Sequence, residues 1–345
     1  MRGFINKCFI YWNTIRYLKL IQILARFKFL LPSIKITKDR KNHKNEIINT
    51  WTPSPNQSQR MLSSNTFAFL NEVHEISLND WNNAKFSKLW LYNLHYFDDL
   101  NSHKALDRVE WHNSYINHWV DENLPFNGIG WEPYPLSLRI VNWIKWSISG
   151  NILKDQWLLS LEIQVRYLSK NIEYHLLGNH IFANAKALIF AGLFFQGSEA
   201  NSWYKKGKKI LEKELLEQIL PDGGNFELST MYHSIFLEDM LDLVNLHHTY
   251  KQHIPKSLEE KIPLMLNWLK VMCHPDGKIS FFNDAAFGVA PSVKELEDYG
   301  IRLNFKQYEI NKKRITKLDN SGYSRVESNN LVALIDRSSV GPDYI

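Results

Sequence analysis

Residues 175–195 read HLLGNHIFANAKALIFAGLFF, an apolar run whose first turn carries polar side chains. The apolar spacing predicts a helix. Gly178 ends the preceding chain and Asn179 is a residue type that caps helices, which places His180 in the first turn. The unpaired amides of that turn carry the positive end of the helix dipole and suit a carboxylate. The pattern also allows a second interpretation, in which Asn179 only caps the helix and His180 is a hydrogen-bonded core histidine.

The same helical pattern extends over most of the chain. Between about residues 104 and 298, apolar residues recur at three- and four-residue spacing, and short connectors rich in Gly, Pro, Asn and Asp separate the runs. Helices joined by short loops pack as antiparallel neighbours, so we expect a stack of helical hairpins that is closed or partly closed into a ring. The predicted helices are 105–121, 135–149, 155–172, 180–196, 201–219, 231–250 and 257–273.

The N-terminal residues 1–30 mix apolar residues with Arg and Lys. They contain neither an uninterrupted apolar span of about 18 residues nor a small-residue cleavage site. We predict an amphipathic helix that packs on the protein, with peripheral contact to a membrane as the alternative, and neither a transmembrane helix nor a signal peptide. The expected location is the cytoplasm by default, or the periplasm if the protein is exported by another route.

The remaining segments complete the predicted domain organisation. Residues 31–88 are polar and predict an irregular surface segment, and residues 89–302 form the helical domain. Within residues 303–345, the sequence ITKLDNSGYSRVESNNLVALIDRSS predicts two antiparallel strands joined by an Asn-Asn turn. A hairpin alone leaves open edges, so we expect these residues to be the start of a larger β domain.

Composition and charge exclude several classes of function. The net charge of +5 lies largely in the first 44 residues, which is too weak and too terminal for nucleic acid but compatible with a polyanionic substrate. Cys8 and Cys273 form no disulfide framework, and the sequence lacks phosphate-loop, dinucleotide, zinc-protease and nucleophile-elbow motifs. We therefore predict no cofactor and no metal in this chain. Nothing in the sequence indicates its oligomeric state.

A second stretch, DGGNFELSTMYHSIFLEDMLDLVNL at residues 222–246, has the same pattern of a glycine, a capping residue and polar side chains at the start of an apolar helix. A Gly-rich loop precedes Ser229 or Thr230 as a cap, and Tyr232 and His233 then lie in the first turn. Two such helix ends would converge if they lie at the same rim of a helical ring. Because a tyrosine has a pKa of about 10, a base at Tyr232 needs nearby cations or a helix N-terminus. The alternative is a half-buried tyrosine that packs on its neighbours.

A third stretch, GIGWEPYPLSLRIVNWIKW at residues 128–146, combines aromatic and polar side chains. Arg139 is the residue type that binds carboxylates or sulfates through two hydrogen bonds. Aromatic side chains such as Trp131 suit sugar rings, although packing in the core explains them equally well. We therefore take Glu132, Asn142, Trp131 and Arg139 as candidate substrate-binding residues, together with His233.

The segments YHLLGNHIFANAKALIFAGLFF, LPDGGNFELSTMYHSIFLEDMLDLVNL, WEPYPLSLRIVNW and FFNDAAFG resemble the heparinase II/III family of polysaccharide lyases and its alginate-lyase-like relatives. The resemblance implies a mainly α fold, an incomplete α/α toroid followed by an antiparallel β-sandwich, and cleavage of uronate-containing acidic polysaccharides by β-elimination. By matching motifs, Asn179 and His180 would bind the uronate carboxylate and Tyr232 would be the catalytic base or acid. The roles of Arg139, Glu132 and His233 follow from neighbouring motifs only.

The family's chains continue into a His-rich β strand, which supplies a further catalytic histidine and, in some members, a metal site. This chain ends at Ile345 before such a motif. We therefore expect the architecture of a lyase with a truncated β domain. Three hypotheses follow: a polysaccharide lyase, a uronate C5 epimerase, and a catalytically inactive carbohydrate-binding toroid.

Overall fold

The computed structural model describes residues 9, 11–13, 15–28, 36–40, 42–77, 80–306, 314–328, 331–339, 341–342 and 344. Its helices are α1 Leu20–Lys28, α2 Lys88–Tyr96, α3 Val109–Glu122, α4 Pro133–Ile148, α5 Asp155–Lys170, α6 Gly178–Phe194, α7 Ser198–Gln218, α8 Thr230–Thr249, α9 Lys256–Val271 and α10 Val293–Arg302. Its strands are β1 His43–Lys44, β2 Thr66–Phe69, β3 Glu72–Glu75, β4 Phe195–Gln196, β5 Ile315–Leu318, β6 Tyr323–Ser328 and β7 Leu331–Asp336.

The helices are arranged in two layers. Helices α4, α6 and α8 pack side by side as an inner layer, while α5, α7 and α9 each pack against an inner helix that is adjacent in the chain. This arrangement confirms the predicted mainly helical fold of packed hairpins, an incomplete α/α toroid. All seven predicted helices are present, and the first of them begins later than predicted because Ala105–Arg108 forms a 3-10 turn. Helices α2 and α10 were not predicted.

Helix α6 is the centre of the core. Its residues are buried from Ile181 to Phe194, as expected for a helix that is apolar on every face. Glycine allows α7 to approach it closely, because a Cβ on Gly207 would lie 2.8 Å from the Ala185 carbonyl oxygen. The predicted cap at Asn179 is wrong: the helix begins at Gly178, and the residue before it is Leu177, in a left-handed conformation with φ 67°.

The segment before the helical domain wraps over its surface. Strand β1 pairs with β4 at the end of α6, and the Ile48 amide donates to the Thr249 carbonyl. An antiparallel hairpin of β2 and β3 interrupts the predicted irregular segment. Helix α1 lies within the predicted N-terminal helix, of which residues 1–8, 10, 14, 29 and 30 lie outside the described residues. None of the helices that the structure describes is both long and apolar enough to cross a membrane.

The C-terminal residues form a small antiparallel sheet in the order β5-β6-β7, one strand more than predicted. The predicted Asn-Asn turn at residues 329–330 lies outside the described residues. The Tyr323 hydroxyl donates to the Leu228 carbonyl at 2.8 Å, and the Trp268 indole donates to the Ser321 hydroxyl at 2.8 Å. These contacts fasten the sheet to α9 and to the loop that leads into α8.

Candidate active site

The N-terminal ends of the inner helices α4, α6 and α8 meet at one cleft with a volume of about 560 Å³. Each helix contributes a polar residue of its first turn to the wall: Tyr134, Asn179 and Tyr232. The imidazole of His180 contacts Tyr134, with 4.5 Å between the ring centroids. The structure therefore brings together the two helix ends that the sequence predicted would converge, and it adds a third.

Tyr232 is held by the cap of α8. The Ser229 hydroxyl accepts a hydrogen bond from the Tyr232 amide at 3.3 Å, which confirms a predicted cap, and donates to the Asp284 carbonyl at 2.6 Å. The Tyr232 hydroxyl donates to the Asp284 carboxylate at 3.2 Å. Burial raises the pKa of Tyr232 to about 12, and the charges of Asp284 and Glu227 act in the same direction. In this environment the phenol stays protonated at neutral pH, so it is available as a proton donor rather than as a base.

His180 is part of a hydrogen-bonded chain that starts in the core. Its Nδ1 lies 3.2 Å from the Glu173 carboxylate, and 30% of its side chain is exposed. Asn184 holds Glu173 in place: its amide nitrogen donates to the carboxylate at 3.0 Å, and its oxygen accepts from the Glu173 backbone amide at 2.9 Å. If Nδ1 carries the proton that Glu173 accepts, the Nε2 lone pair is available as a base.

Asn179 lies on the cleft wall and is half-buried. Within the described part of the chain, its side-chain amide makes no hydrogen bond to another residue. An amide in the first turn of a helix can therefore donate to an anion together with the unpaired backbone amides of that turn. The position suits a carboxylate, as predicted from the sequence.

The structure does not bring Arg139 or Asn142 to the cleft surface. Arg139 is fully buried, and its guanidinium donates to Gln164 at 2.9 Å and to the carbonyls of His95 and Gly130. The Asn142 amide donates to the Tyr96 carbonyl at 2.9 Å and to Asp98 at 2.8 Å. The hydrogen-bond donors of both side chains are therefore used within the protein, where they hold α2 against α4.

Trp131 and His233 are also buried in the protein. The Trp131 indole packs between Trp119 and Tyr167 in the core. His233 stacks on Trp268, its Nε2 lies 3.0 Å from the Met265 carbonyl, and burial lowers its pKa to about 3. Neither side chain is placed to touch a ligand in the cleft.

Glu132 remains partly exposed beside the N-terminus of α4. Its carboxylate pairs with Lys88 at 2.9 Å and accepts a hydrogen bond from the Tyr92 hydroxyl. Burial and the hydrogen bond to Glu132 raise the pKa of Tyr92, and Glu173 adds to the effect through its charge. Glu132 is therefore the one of these five candidate binding residues whose position stays compatible with ligand contact.

Beneath the cleft floor, two lysines share carboxylates of α8. The Lys186 ammonium lies 2.5 Å from Asp239 and 2.7 Å from Asp242, and Lys145 lies 3.0 Å from Asp242. Burial opposes the charged form of Lys186, but the two carboxylates outweigh it and raise its pKa. Asp239 is thus paired with a basic neighbour.

Several residues of the site carried no functional signal in the sequence. Glu173 lies in the connector before α6, and only the fold places it against His180. Tyr134 is one of several aromatic residues in the stretch 128–146, and Asp284 lies within the quoted segment FFNDAAFG. Arg60 lines the cleft from the N-terminal segment, about 120 residues before Asn179 in the chain. Among the described residues, no group of three or more His, Cys, Asp or Glu side chains is placed to hold a metal ion.

Comparison with known proteins agrees with this architecture. The model of the heparinase II/III N-terminus matches residues 83–300. A heparin-sulfate lyase of Bacteroides stercoris is 31% identical over 115 residues, which cover 32% of this chain and 17% of that protein. A heparin-sulfate lyase of Bacteroides thetaiotaomicron is 24% identical over 228 residues, which cover 58% of this chain and 32% of that protein.

Solved structures show the same fold. The crystal structure of heparinase III matches with a TM-score of 0.58 and 17% identity, over 80% of this chain and 48% of that one. A mutant of a heparan sulfate lyase from Pedobacter heparinus matches with a TM-score of 0.53 and 18% identity, over 81% of this chain and 50% of that one. The matched region spans at most about a third of the length of the curated relatives and about half of the solved chains. Because the family model covers well over half of its residues, this chain belongs to the heparinase II/III family.

Proposed function

We propose that this protein acts on uronate-containing acidic polysaccharide as a lyase, by β-elimination. The observation that supports this most directly is that Asn179 and Tyr232 line one cleft, on the first turns of two neighbouring inner helices, while His180 contacts the cleft residue Tyr134. The family relationship supports the same reaction, because the relatives named above are heparin-sulfate lyases.

The reaction needs a group that stabilises negative charge on the uronate carboxylate. The C5 proton is too weakly acidic to leave until the enediolate that forms can be stabilised by hydrogen-bond donors or positive charge. In the proposal, the Asn179 amide and the N-terminal amides of α6 supply those donors, and their dipole favours the developing charge. The cleft wall thus stabilises the negative charge that develops on the uronate carboxylate as the C5 proton leaves.

The two proton transfers are assigned to different side chains. Tyr232, whose raised pKa keeps its hydroxyl protonated, donates to the glycosidic oxygen as the bond to C4 breaks. His180, with Nδ1 directed at Glu173, accepts the C5 proton at Nε2. Elimination then leaves a double bond between C4 and C5 and a free hydroxyl on the departing sugar.

The charges around the cleft favour a substrate of moderate charge density. The cations that line it are Arg60 and Lys278, whereas the carboxyl groups that line it are Asp98, Glu227, Glu238, Asp239 and Glu295. Glu238 holds a proton at neutral pH and Asp239 is paired with Lys186, so repulsion of a densely sulfated chain would come from the other three, Asp98, Glu227 and Glu295. We therefore propose a chain rich in uronate and sparse in sulfate as the preferred substrate.

The decisive experiment compares Tyr232→Phe with the wild type on heparan sulfate of low sulfation and on other uronans. We expect turnover, followed by the ultraviolet absorbance of the unsaturated product, to fall by about 100-fold or more, while the substrate dissociation constant changes little. Tyr204→Phe is the matched control, because it removes a half-buried tyrosine hydroxyl outside the cleft. This hydroxyl lies on α7, 3.1 Å from His247 of α8. Equal turnover in wild type and Tyr232→Phe would refute the role of Tyr232.

The same preparation distinguishes the other hypotheses. Exchange of the C5 hydrogen with deuterated solvent, without an unsaturated product, would identify a uronate C5 epimerase. Saccharide binding with neither exchange nor elimination would identify a carbohydrate-binding protein without catalytic activity. Either result contradicts the lyase proposal.

A further inference from the structure

Helix α1 packs on the protein through Gln22 and the partly buried Ile21, and it leaves other apolar residues exposed. Gln22 is buried, and its amide donates to the Tyr344 carbonyl at 3.1 Å. Leu20, Leu24 and Phe27, in contrast, are 70%, 58% and 61% exposed. A surface helix of a soluble protein normally buries its apolar residues and exposes its polar ones. The outer face of α1 therefore needs a partner other than the protein's own core.

The residues before α1 extend this apolar surface. Phe9, Tyr11 and Trp12 are 65%, 66% and 65% exposed. Aromatic side chains of this kind, with an apolar body and in part a polar tip, are typical of segments at the boundary between water and lipid. We call the exposed side chains of Phe9, Tyr11, Trp12, Leu20, Leu24 and Phe27 the N-terminal apolar face.

The charge of this segment has one sign. The first 38 residues contain eight Lys or Arg residues and no Asp or Glu, and the first acidic residue is Asp39. Apolar side chains flanked by basic ones complement a surface of anionic lipid headgroups. The same charge disfavours pairing of this face with a second copy of the chain, because like charges would lie opposite each other.

Contacts with the helical domain fix the orientation of α1. Lys19 forms an ion pair with Glu217 of α7, and its ammonium lies 3.8 Å from the centroid of the Tyr344 ring. Arg26 donates to the Gln22 carbonyl at 3.1 Å, one turn earlier. The inward side is thus held by polar contacts and by the packing of Ile21 on the core, and the exposed apolar residues of α1 are directed away from the protein.

We propose that the N-terminal apolar face docks on an anionic lipid surface, with Leu20, Leu24 and Phe27 in the interfacial layer and the basic side chains at the headgroups. This inference is independent of the proposed function, because none of these residues lines the cleft. Docking of this kind holds the protein at the membrane without a spanning helix.

The test is co-sedimentation of the full chain with vesicles. We expect binding to phosphatidylcholine vesicles that contain about 30% phosphatidylglycerol, little binding to pure phosphatidylcholine, and loss of binding at high salt. The double variant Leu24→Ser/Phe27→Ser should bind about tenfold more weakly or worse, because it removes two side chains that insert. Both side chains are more than half exposed, so we expect the thermal midpoint of unfolding to stay unchanged.

A matched control removes apolar side chains that are equally exposed elsewhere. Leu106 and Ile152 are 75% and 79% exposed on the helical domain, and Leu106→Ser/Ile152→Ser should bind vesicles like the wild type. Absence of vesicle binding by the wild type, or equal binding by Leu24→Ser/Phe27→Ser, would overturn the proposal. So would a dimer in light scattering that the same double variant abolishes, if the wild type does not bind vesicles.

Discussion

Helix α6 carries two polar side chains, His180 and Lys186, that differ in exposure and in the number of carboxylates they contact. At its first turn, His180 contacts one carboxylate, keeps 30% of its side chain exposed and packs on Tyr134 of the cleft wall. Two turns deeper, Lys186 is buried and contacts two carboxylates, Asp239 and Asp242. The same helix therefore offers a group with spare hydrogen-bonding capacity at its end and a saturated ion cluster in its middle. Polar residues in an apolar helix indicate chemistry only where solvent and ligand can reach them.

The largest effect on stability is expected from a substitution in the ion cluster. Asp242→Asn leaves two buried lysines with one carboxylate between them, and we expect a loss of about 3–5 kcal/mol in the free energy of unfolding, measured in urea. As a control, Lys208→Ala breaks an exposed pair with Glu212 and should cost less than about 0.5 kcal/mol. A small loss in Asp242→Asn would mean that the cluster is not essential to the fold.

The rim should behave in the opposite way, with a large effect on activity and a small one on stability. Glu173→Gln keeps the shape of the side chain but favours the other histidine tautomer, so we expect turnover to fall by about 10- to 100-fold and the pH profile to change. Glu214→Gln is the control, because it changes a buried carboxyl on α7 that is hydrogen-bonded to Gln218. Equal activity losses in the two variants would contradict a positioning role for Glu173.

The dependence of the free energy of unfolding on pH tests the region of the buried ion cluster separately from the rim. Burial raises the pKa of Glu238 to about 8, against the opposing charge of Lys145, while its value in the unfolded chain is about 4.3. Between these values the folded state holds a proton that the unfolded state has lost. Stability should therefore fall as the pH rises through this window, by at most about 1.4 kcal/mol per unit.

The variant Glu238→Gln removes this titration and should flatten the dependence of the urea midpoint on pH. Lys145, Lys186, Asp239 and Asp242 surround the same carboxyl and remain in both proteins, so the difference between the two curves isolates Glu238. Parallel curves for the wild type and the variant would show that Glu238 does not hold the proton.

The smallest effect concerns the cap of α8. Ser229→Ala removes the hydrogen bonds to the Tyr232 amide and to the Asp284 carbonyl and should cost about 1 kcal/mol of stability. Ser87→Ala removes the corresponding cap of α2 and should cost about the same. Only Ser229→Ala should also lower turnover, because it loosens the backbone that carries Tyr232. Equal turnover in the two variants would show that the cap of α8 does not position Tyr232.

Much of the fold is predictable from the sequence because it depends on local patterns. The spacing of apolar residues and the Gly-rich connectors located all seven predicted helices, and the Ser-Thr pair located the cap of α8. The cap of α6 was misplaced, because a left-handed Leu177 depends on packing and has no signature in composition. Helices α2 and α10 were missed because they are only nine and ten residues long, which leaves little periodicity to detect.

The candidate site divides in the same way. Local sequence pointed to Asn179, His180 and Tyr232 as candidates because each lies in the first turn of a helix, and the family resemblance was needed to prefer a functional role over capping or packing. It could not show that Arg139 and His233 are buried and hydrogen-bonded within the protein, or that Glu173 and Asp284 contact His180 and Tyr232. Those facts depend on contacts between residues far apart in the chain. Helix periodicity is a property of neighbouring residues, whereas burial and hydrogen-bond partners exist only once the inner helices have packed.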